Sequence, residues 1–129
     1  MLQAINSNKA GRNISSTEVH WREIFKSSED SLTSTIFGLL FYLPSELCWK
    51  IIRESCYEFL IPFPSKVTVK EYWPSWNSVN TNNTNYIEPD LFIRTPEFDL
   101  IIEAKRYDYG QQYRAQWEGE IRAYFNEYK

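Results

Sequence analysis

Histidine and cysteine are scarce in this sequence, and that scarcity limits the chemistry it can carry. His20 is the only histidine among 129 residues, so neither a Ser-His-Asp triad nor a Cys/His zinc cluster is supported. Cys48 and Cys56 lie in an apolar segment with helical spacing and not in a framework of loops. They are therefore expected to be reduced core residues of a cytoplasmic protein, and not a disulfide or a metal-binding pair.

Long hydrophobic runs and blocks of positive charge are also missing. The most apolar stretch, residues 36–43, is much shorter than the roughly 20 residues that cross a bilayer. The polar residues 1–12 do not have the pattern of a signal peptide, so no membrane partner is expected. The net charge of −3 argues against binding nucleic acid by bulk electrostatics alone. It does not exclude an enzyme that uses a metal, because the metal neutralises the carboxylates that hold it.

The length of the chain predicts one domain that can bury a core. Residues 1–17 are polar and lack periodicity, which predicts a flexible N-terminal arm. The remaining residues, 18–129, show no internal repeat and no boundary that would divide them. They are therefore expected to form a single domain.

Apolar periodicity and turn residues predict six elements in the order helix, helix, strand, strand, strand, helix. The first helix is expected to be largely buried and to stop at Pro44. Residues 74–85 are rich in Asn, Ser and Thr, which predicts a surface loop or a hairpin connection. The predicted bounds are residues 32–43 and 45–60 for the first two helices, 67–73, 87–93 and 98–105 for the strands, and 111–128 for the last helix.

The last helix carries two stripes of residues at i+4 spacing. The mainly polar stripe consists of Gln112, Gln116, Glu120 and Tyr124. The apolar stripe beside it consists of Tyr113, Trp117, Ile121 and Phe125.

The second and third strand-like runs both carry charged residues among their apolar ones. Asp90 follows Pro89 in the first of these runs, and Glu103 and Lys105 end the second, with twelve residues between the two acids. Because the side chains of a strand alternate, Glu103 and Lys105 leave one face while Ala104 leaves the other. Charged groups at the end of a hydrophobic strand are unfavourable unless they hold something. A divalent cation together with a phosphate would satisfy them.

This pattern resembles the PD-(D/E)xK nuclease superfamily, the restriction-endonuclease-like enzymes. Pro89-Asp90 matches the PD half, and Glu103-Ala104-Lys105 matches the ExK half. The resemblance implies an α/β fold with a restriction-endonuclease-like αβββα core, in which helices pack on a small mixed sheet. The superfamily adds another strand after the last helix, and this chain departs from it there. Three explanations are open: the chain is a fragment of a longer protein, another chain supplies the strand as in a homodimer, or the resemblance is to a trimmed variant. The first is favoured, so the domain is expected to be incomplete at its C-terminus.

The resemblance also implies a role for each residue of the motif. Asp90 and Glu103 would ligate Mg²⁺, or Mn²⁺ in its place, with the backbone carbonyl of Ala104 as a further ligand. Lys105 would help to deprotonate the attacking water or hold the scissile phosphate. The metal would polarise the phosphoryl oxygen and lower the pKa of its water, so that hydrolysis needs no histidine.

Several other residues are candidates for the same site. Related enzymes bring an acid from the first long helix, which suggests Glu29 as a metal ligand, with Asp30 as its competitor; both could instead be capping residues. Several members of the superfamily place a glutamine near the site, and Gln116 is the best match, with Gln112 behind it. A solvated polar face is the alternative. Glu88 is either a third acid of the site or an exposed carboxylate.

Contacts to nucleic acid would come from basic and aromatic side chains. Trp73 and Trp76 could stack on unpaired bases, although core or hairpin packing is the favoured interpretation. For each basic residue the alternative is ordinary surface. The candidates for phosphate contacts are Arg106, Arg114 and Lys50, with Arg53 and Arg122 behind them.

Three functions compete at this point. The favoured one is a metal-dependent nuclease that hydrolyses phosphodiester bonds in DNA, with Mg²⁺ as its cofactor. The alternative is a catalytically idle nuclease-like fold that binds nucleic acid or a protein. The third treats the nine Tyr, eight Phe and five Trp as a carbohydrate-binding or interaction surface, against which the lack of a disulfide framework weighs.

Overall fold

The computed structural model describes residues 29–57, 61–82, 85–105 and 113–129 of the chain. The predicted N-terminal arm, residues 1–17, lies outside these ranges. Within them the fold is a mixture of helices and small antiparallel sheets, which confirms the α/β class. The elements are α1 (Glu29–Leu40), α2 (Ser45–Ser55), β1 (Val69–Tyr72), β2 (Trp76–Asn77), β3 (Tyr86–Ile87), β4 (Leu91–Arg94), β5 (Asp99–Ile102) and α3 (Arg114–Tyr128).

The first two helices meet at Pro44, as the sequence predicts. After Leu40 the chain tightens into a turn, because Leu43 donates its N–H to the Leu40 carbonyl at 3.1 Å. Pro44, which has no N–H to contribute, occupies the N-cap of α2. α2 ends at Ser55, earlier than the predicted residue 60, since Cys56 is already extended. Residues 58–60 lie outside the described ranges.

The main sheet has β4 in its centre, with β1 and β5 on either side, and both pairings are antiparallel. β4 and β5 are joined by a tight turn in which Thr95 donates its N–H to the Phe98 carbonyl at 3.0 Å. A connection this short allows only antiparallel pairing. The expectation of a mixed sheet is therefore wrong for the described strands. Residues 74–85 contribute to a two-stranded hairpin of β2 and β3, one of the two predicted alternatives.

Side chains of β4 alternate between two cores, one on each face of the sheet. Leu91 and Ile93 pack with Cys48, Trp49 and Ile52 of α2. Each of these side chains is buried, which corresponds to roughly 1.5–3 kcal/mol of hydrophobic stabilisation for a large one. Cys48 is a free thiol inside this core, as expected, and Cys56, half-buried, is also free.

The other face of the sheet packs against α3 and the β2–β3 hairpin. Phe92 lies between Trp76 and Tyr128, with ring centroids 5.2 Å and 5.1 Å away. Ala123 of α3 completes this core. Trp76 and also Trp73 are buried, which confirms the interpretation of both as core residues and not as platforms for bases.

α1 does not bury its leucines as the sequence analysis expects. Its inward stripe runs through Thr33, Phe37 and Leu40, at helical spacing. Leu39 lies off this stripe and is 65% exposed, while Ser34 is fully buried. The expected largely buried apolar helix is therefore wrong, because small hydroxyl residues occupy the positions that face inward. Among the helices that the structure describes, none has the length and apolar character needed to cross a membrane.

Candidate functional site

The antiparallel pairing of β4 with β5 brings the two halves of the sequence motif together. The register pairs the first residue of β4 with the last residue of β5. Asp90 stands just before that point, and Glu103, Ala104 and Lys105 stand just after it. The N–H of Ala104 donates a hydrogen bond of 2.7 Å to Oδ2 of Asp90. One end of the hairpin therefore carries the whole motif.

Glu103 and Lys105 form an ion pair in this site. Lys105 Nζ lies 2.5 Å from Glu103 Oε1, and the two side chains are only 16% and 10% exposed. This contact requires both side chains to leave the same side of the chain, as the strand alternation predicts. The charge of Asp90 acts on both of them. The acid after Pro89 thus shares one site with the glutamate and the lysine, and their roles there stay predictions.

Gln116 reaches this site from α3 and bridges two carboxylates. Its Nε2 donates to Glu103 Oε1 at 2.5 Å and to Glu120 Oε1 at 3.1 Å. A carboxylate only accepts hydrogen bonds, so the amide nitrogen and not the amide oxygen must face the two acids. Glu120 thereby fixes the orientation of Gln116, and Gln116 fixes the oxygen that also binds Lys105. The four side chains form one connected network.

Burial makes this network electrostatically unusual. Asp90 is 7% exposed, and burial raises its pKa to about 6 despite the hydrogen bond from Ala104. Burial and the charge of Glu103 raise the pKa of Glu120 to about 7. Burial opposes the charge of Lys105, but its hydrogen bond and ion pair with Glu103 outweigh that effect and raise its pKa. The site therefore disfavours the ionised forms of Asp90 and Glu120, and its one lysine does not offset that effect.

The start of α1 adds two further acids. The charge of Glu29 acts on Lys105, and the charge of Asp30 acts on Asp90. The structure thus places both competing candidates from the first helix within electrostatic range of the motif. Which of them would contact a metal stays a prediction.

Glu120 is the site residue that the sequence analysis missed. It was placed on the polar stripe of the last helix, but no role was given to it. In the structure this stripe faces inward, and Glu120 is only 5% exposed. The apolar stripe faces outward instead, with Trp117 and Ile121 about half exposed. The available signal was the i+4 spacing of Gln116 and Glu120, which puts both side chains on one face.

The predicted phosphate contacts lie on exposed helix surfaces. Lys50 lies 3.9 Å from Glu54, and Arg114 lies 2.6 Å from Glu118, each one turn further along its helix. Such exposed pairs contribute little to stability. Arg106 and the second glutamine candidate, Gln112, lie outside the described residues. Lys50 and Arg114 are thus each paired with an acid of their own helix, and the structure does not direct either of them to the motif.

The oxygen donors of the motif suit a hard divalent cation. In the part of the chain that the structure describes, no group of three or more His, Cys, Asp or Glu side chains is placed to hold a metal ion. Asp90 and Glu103 nevertheless offer carboxylate oxygens, and the carbonyl of Ala104 is the third donor that the resemblance implies. Magnesium binds through one or two carboxylates and keeps several waters, so this chemistry fits it.

Comparisons with known proteins give one relative and no family. The chain is 34% identical to an uncharacterized protein of Pasteurella multocida (strain Pm70), over an alignment that covers 98% of the chain. The chain spans about half of that relative, 48% of its length. No protein-family model matches the chain, and no solved structure matches it.

Proposed function

We propose that this chain is a metal-dependent nuclease domain that hydrolyses phosphodiester bonds in DNA. The observation that carries the proposal is the meeting of Asp90, Glu103 and Lys105 at one end of the β4–β5 hairpin, nearly buried and joined to Gln116. These are the residues that the PD-(D/E)xK pattern assigns to chemistry. They meet although they are far apart in sequence.

The energetic argument for a ligand rests on the buried charge. When two charges are removed from water, their mutual attraction offsets the lost hydration only if the geometry is good. Replacing such a pair with apolar residues often leaves the stability unchanged or raises it. Here Glu103 and Lys105 are paired, but Asp90 and Glu120 add further carboxylates with low exposure. The fold itself does not require them at this place. A bound cation and a phosphate give a physical reason for their presence.

The roles follow from what each group can donate or accept. Asp90 and Glu103 would hold Mg²⁺, with the carbonyl of Ala104, and Mn²⁺ would substitute for it. When bound, the ion supplies positive charge that activates water and polarises a phosphoryl oxygen. Lys105 offers three N–H donors and a positive charge for the attacking water or the scissile phosphate. Gln116 holds the carboxylate of Glu103 in place.

The order of elements supports a restriction-endonuclease-like core. A helix, α1, precedes the three antiparallel strands β1, β4 and β5, and α3 follows them. This is the αβββα order that the resemblance implies, with α2 added between the first helix and the first strand and the β2–β3 hairpin inserted between the first and second strands. In that core the motif belongs to neighbouring strands, as it does here.

Cleavage of DNA is the experiment that tests this function. Wild-type protein is expected to nick supercoiled plasmid in the presence of Mg²⁺ or Mn²⁺ and to be inactive in EDTA. Asp90→Ala and Lys105→Ala should abolish nicking while circular dichroism still reports a folded chain. Glu46→Ala, an exposed acid of α2, is the matched control and should cut at the wild-type rate. Binding of DNA that is equal with and without EDTA, and never accompanied by nicking, would instead support a catalytically idle binding module.

A further inference from the structure

A cavity of about 340 Å³ lies beside the network, between α3 and the β2–β3 hairpin. Ile87, Ala115 and Gly119 form its apolar wall. A Cβ added at Gly119 would lie 3.1 Å from Cδ1 of Ile87, so the glycine lets the helix lie close to the hairpin and keeps this wall flat. A flat apolar wall in a cavity of this volume suits a planar ring system.

The rest of the lining is polar, and hydrogen-bond acceptors dominate it. Glu88, Glu120, Gln116 and Asn82 line the cavity. Since Nε2 of Gln116 is committed to Glu103 and Glu120, its remaining hydrogen-bonding atom is an acceptor oxygen. Lysine and arginine are absent from the described lining, so a phosphate would not be favoured there. The lining calls for a ligand that presents N–H donors.

We propose that this cavity receives an unpaired guanine base of the substrate strand, next to the phosphodiester bond that is cut. The inference rests on the proposed nuclease function, because Gln116 belongs to both the cavity and the network around Glu103. Guanine presents two neighbouring donors, N1–H and the N2 amino group, which match the two oxygens of one carboxylate. In adenine and cytosine the amino group is next to a ring acceptor, and thymine has one N–H between two carbonyls, so each would place an acceptor against an acid.

A smaller depression continues from the cavity and, unlike it, has an arginine in its lining. Its volume is about 100 Å³, and it shares Asn82, Ala115 and Gly119 with the larger cavity. Arg122 lines it, and Nη1 of Arg122 donates to the carbonyl of Asn80 at 3.0 Å, which holds the guanidinium in place beside Glu118. A guanidinium here would receive a phosphate of the same strand, while the base enters the acidic cavity.

The base has to be unpaired because its hydrogen-bonding edge must reach the acids. A guanine inside a duplex uses the same N1–H and N2 groups for pairing. The cavity therefore predicts a substrate with a single-stranded, mismatched or extruded nucleotide.

The test uses fluorescein-labelled twelve-residue thymidine oligonucleotides that carry one central variable base. Binding to the full wild-type chain is followed by anisotropy in EDTA, so that no strand is cut. We expect the oligonucleotide with guanine to bind roughly tenfold more tightly than the one with thymine. Inosine, which lacks the N2 amino group, should lose most of this preference.

Three variants decide whether the cavity causes the preference. Measured at about pH 8.5, Glu120→Gln, and separately Glu88→Gln, should remove the guanine preference, since each replaces a carboxylate with an amide that also donates hydrogen bonds. Ala115→Trp fills the cavity from its exposed rim and should do the same without touching either acid. Glu46→Gln, on α2, should leave the preference unchanged.

The outcomes separate the two proposals. A preference that is absent, or that survives both acid variants and Ala115→Trp, would overturn the guanine site, and Mg²⁺-dependent nicking without base preference would leave the nuclease proposal standing. A guanine preference that depends on Glu88 and Glu120 supports the cavity even if no strand is ever cut. A guanine preference without cutting would count against the nuclease proposal and not against the cavity.

Discussion

Replacement of Glu120 by glutamine should stabilise the metal-free protein at alkaline pH. Glu120 is 5% exposed, and burial followed by the charge of Glu103 raises its pKa from 4.5 to about 7. The folded chain therefore holds this proton more firmly than the unfolded chain does. The stability linked to it is fully present below pH 4.5 and is lost as the pH rises through about 7. Glutamine has the shape of the protonated acid and can still accept a hydrogen bond from Gln116.

The magnitude follows from the difference between the two pKa values. At about 1.4 kcal/mol for each pH unit between 4.5 and about 7, the ionised side chain costs about 3 kcal/mol at pH 8. Glu120→Gln should therefore raise the free energy of unfolding by about 3 kcal/mol at pH 8. At pH 5 the difference should be less than about 1 kcal/mol, because most of the wild-type carboxyl groups in the folded chain are protonated there.

Urea unfolding in EDTA, followed by the intrinsic fluorescence of the five tryptophans, measures this difference at both pH values. Glu118→Gln is the control on the same helix. Glu118 is exposed, and its hydrogen bond from Arg114 lowers its pKa, so its replacement should not stabilise the protein at pH 8. A Glu120→Gln protein that is no more stable than wild type at pH 8, or that gains equally at pH 5 and pH 8, would refute the reasoning.

Three further predictions concern the same site. Lys105→Met should lower the free energy of unfolding in EDTA by about 3–5 kcal/mol, because it leaves the buried carboxylate of Glu103 without its cation. Mg²⁺ should restore part of this loss. Urea unfolding curves that match those of wild type would contradict the prediction. Gly119→Leu should lower the free energy of unfolding by about 1–3 kcal/mol, because the larger side chain would press on Ile87. Gly119→Ala should leave the melting temperature nearly unchanged, because the better helix propensity of alanine offsets its close contact with Ile87. Equal melting temperatures for the two variants would count against the close packing. Mg²⁺ should raise the melting temperature of wild type more at pH 7.5 than at pH 5, because protons compete with the metal for Asp90, whose pKa is about 6. Asp90→Asn should abolish this rise in melting temperature. The same response to Mg²⁺ in that variant would exclude Asp90 as a ligand.

The motif could be predicted from the sequence because its geometry is local. Residues 95–98 form a turn too short for anything but an antiparallel hairpin, so Asp90 had to come close to Glu103. The alternation of side chains then placed Glu103 and Lys105 on the same side. Both steps depend on backbone geometry and not on the rest of the fold.

The orientation of the helices could not be predicted in the same way. Hydrophobic periodicity turns Trp117 and Ile121 toward a core, but the structure exposes them and turns Gln116 and Glu120 inward. The reason is tertiary: the inward face of α3 meets the charged end of the hairpin at these residues, and it meets the aromatic core only further along, at Ala123. A pattern read from one helix has no information about which surface it will meet.

Manganese binding in a crystal tests the central claim most directly, since Mn²⁺ scatters anomalously and replaces Mg²⁺ at oxygen sites. For a wild-type crystal soaked in Mn²⁺, the account predicts an anomalous peak within coordinating distance of the carboxylates of Asp90 and Glu103, and no such peak in Asp90→Asn. A wild-type crystal without that peak, or with Mn²⁺ bound only elsewhere, would contradict the claim that this end of the hairpin is a metal-dependent active site.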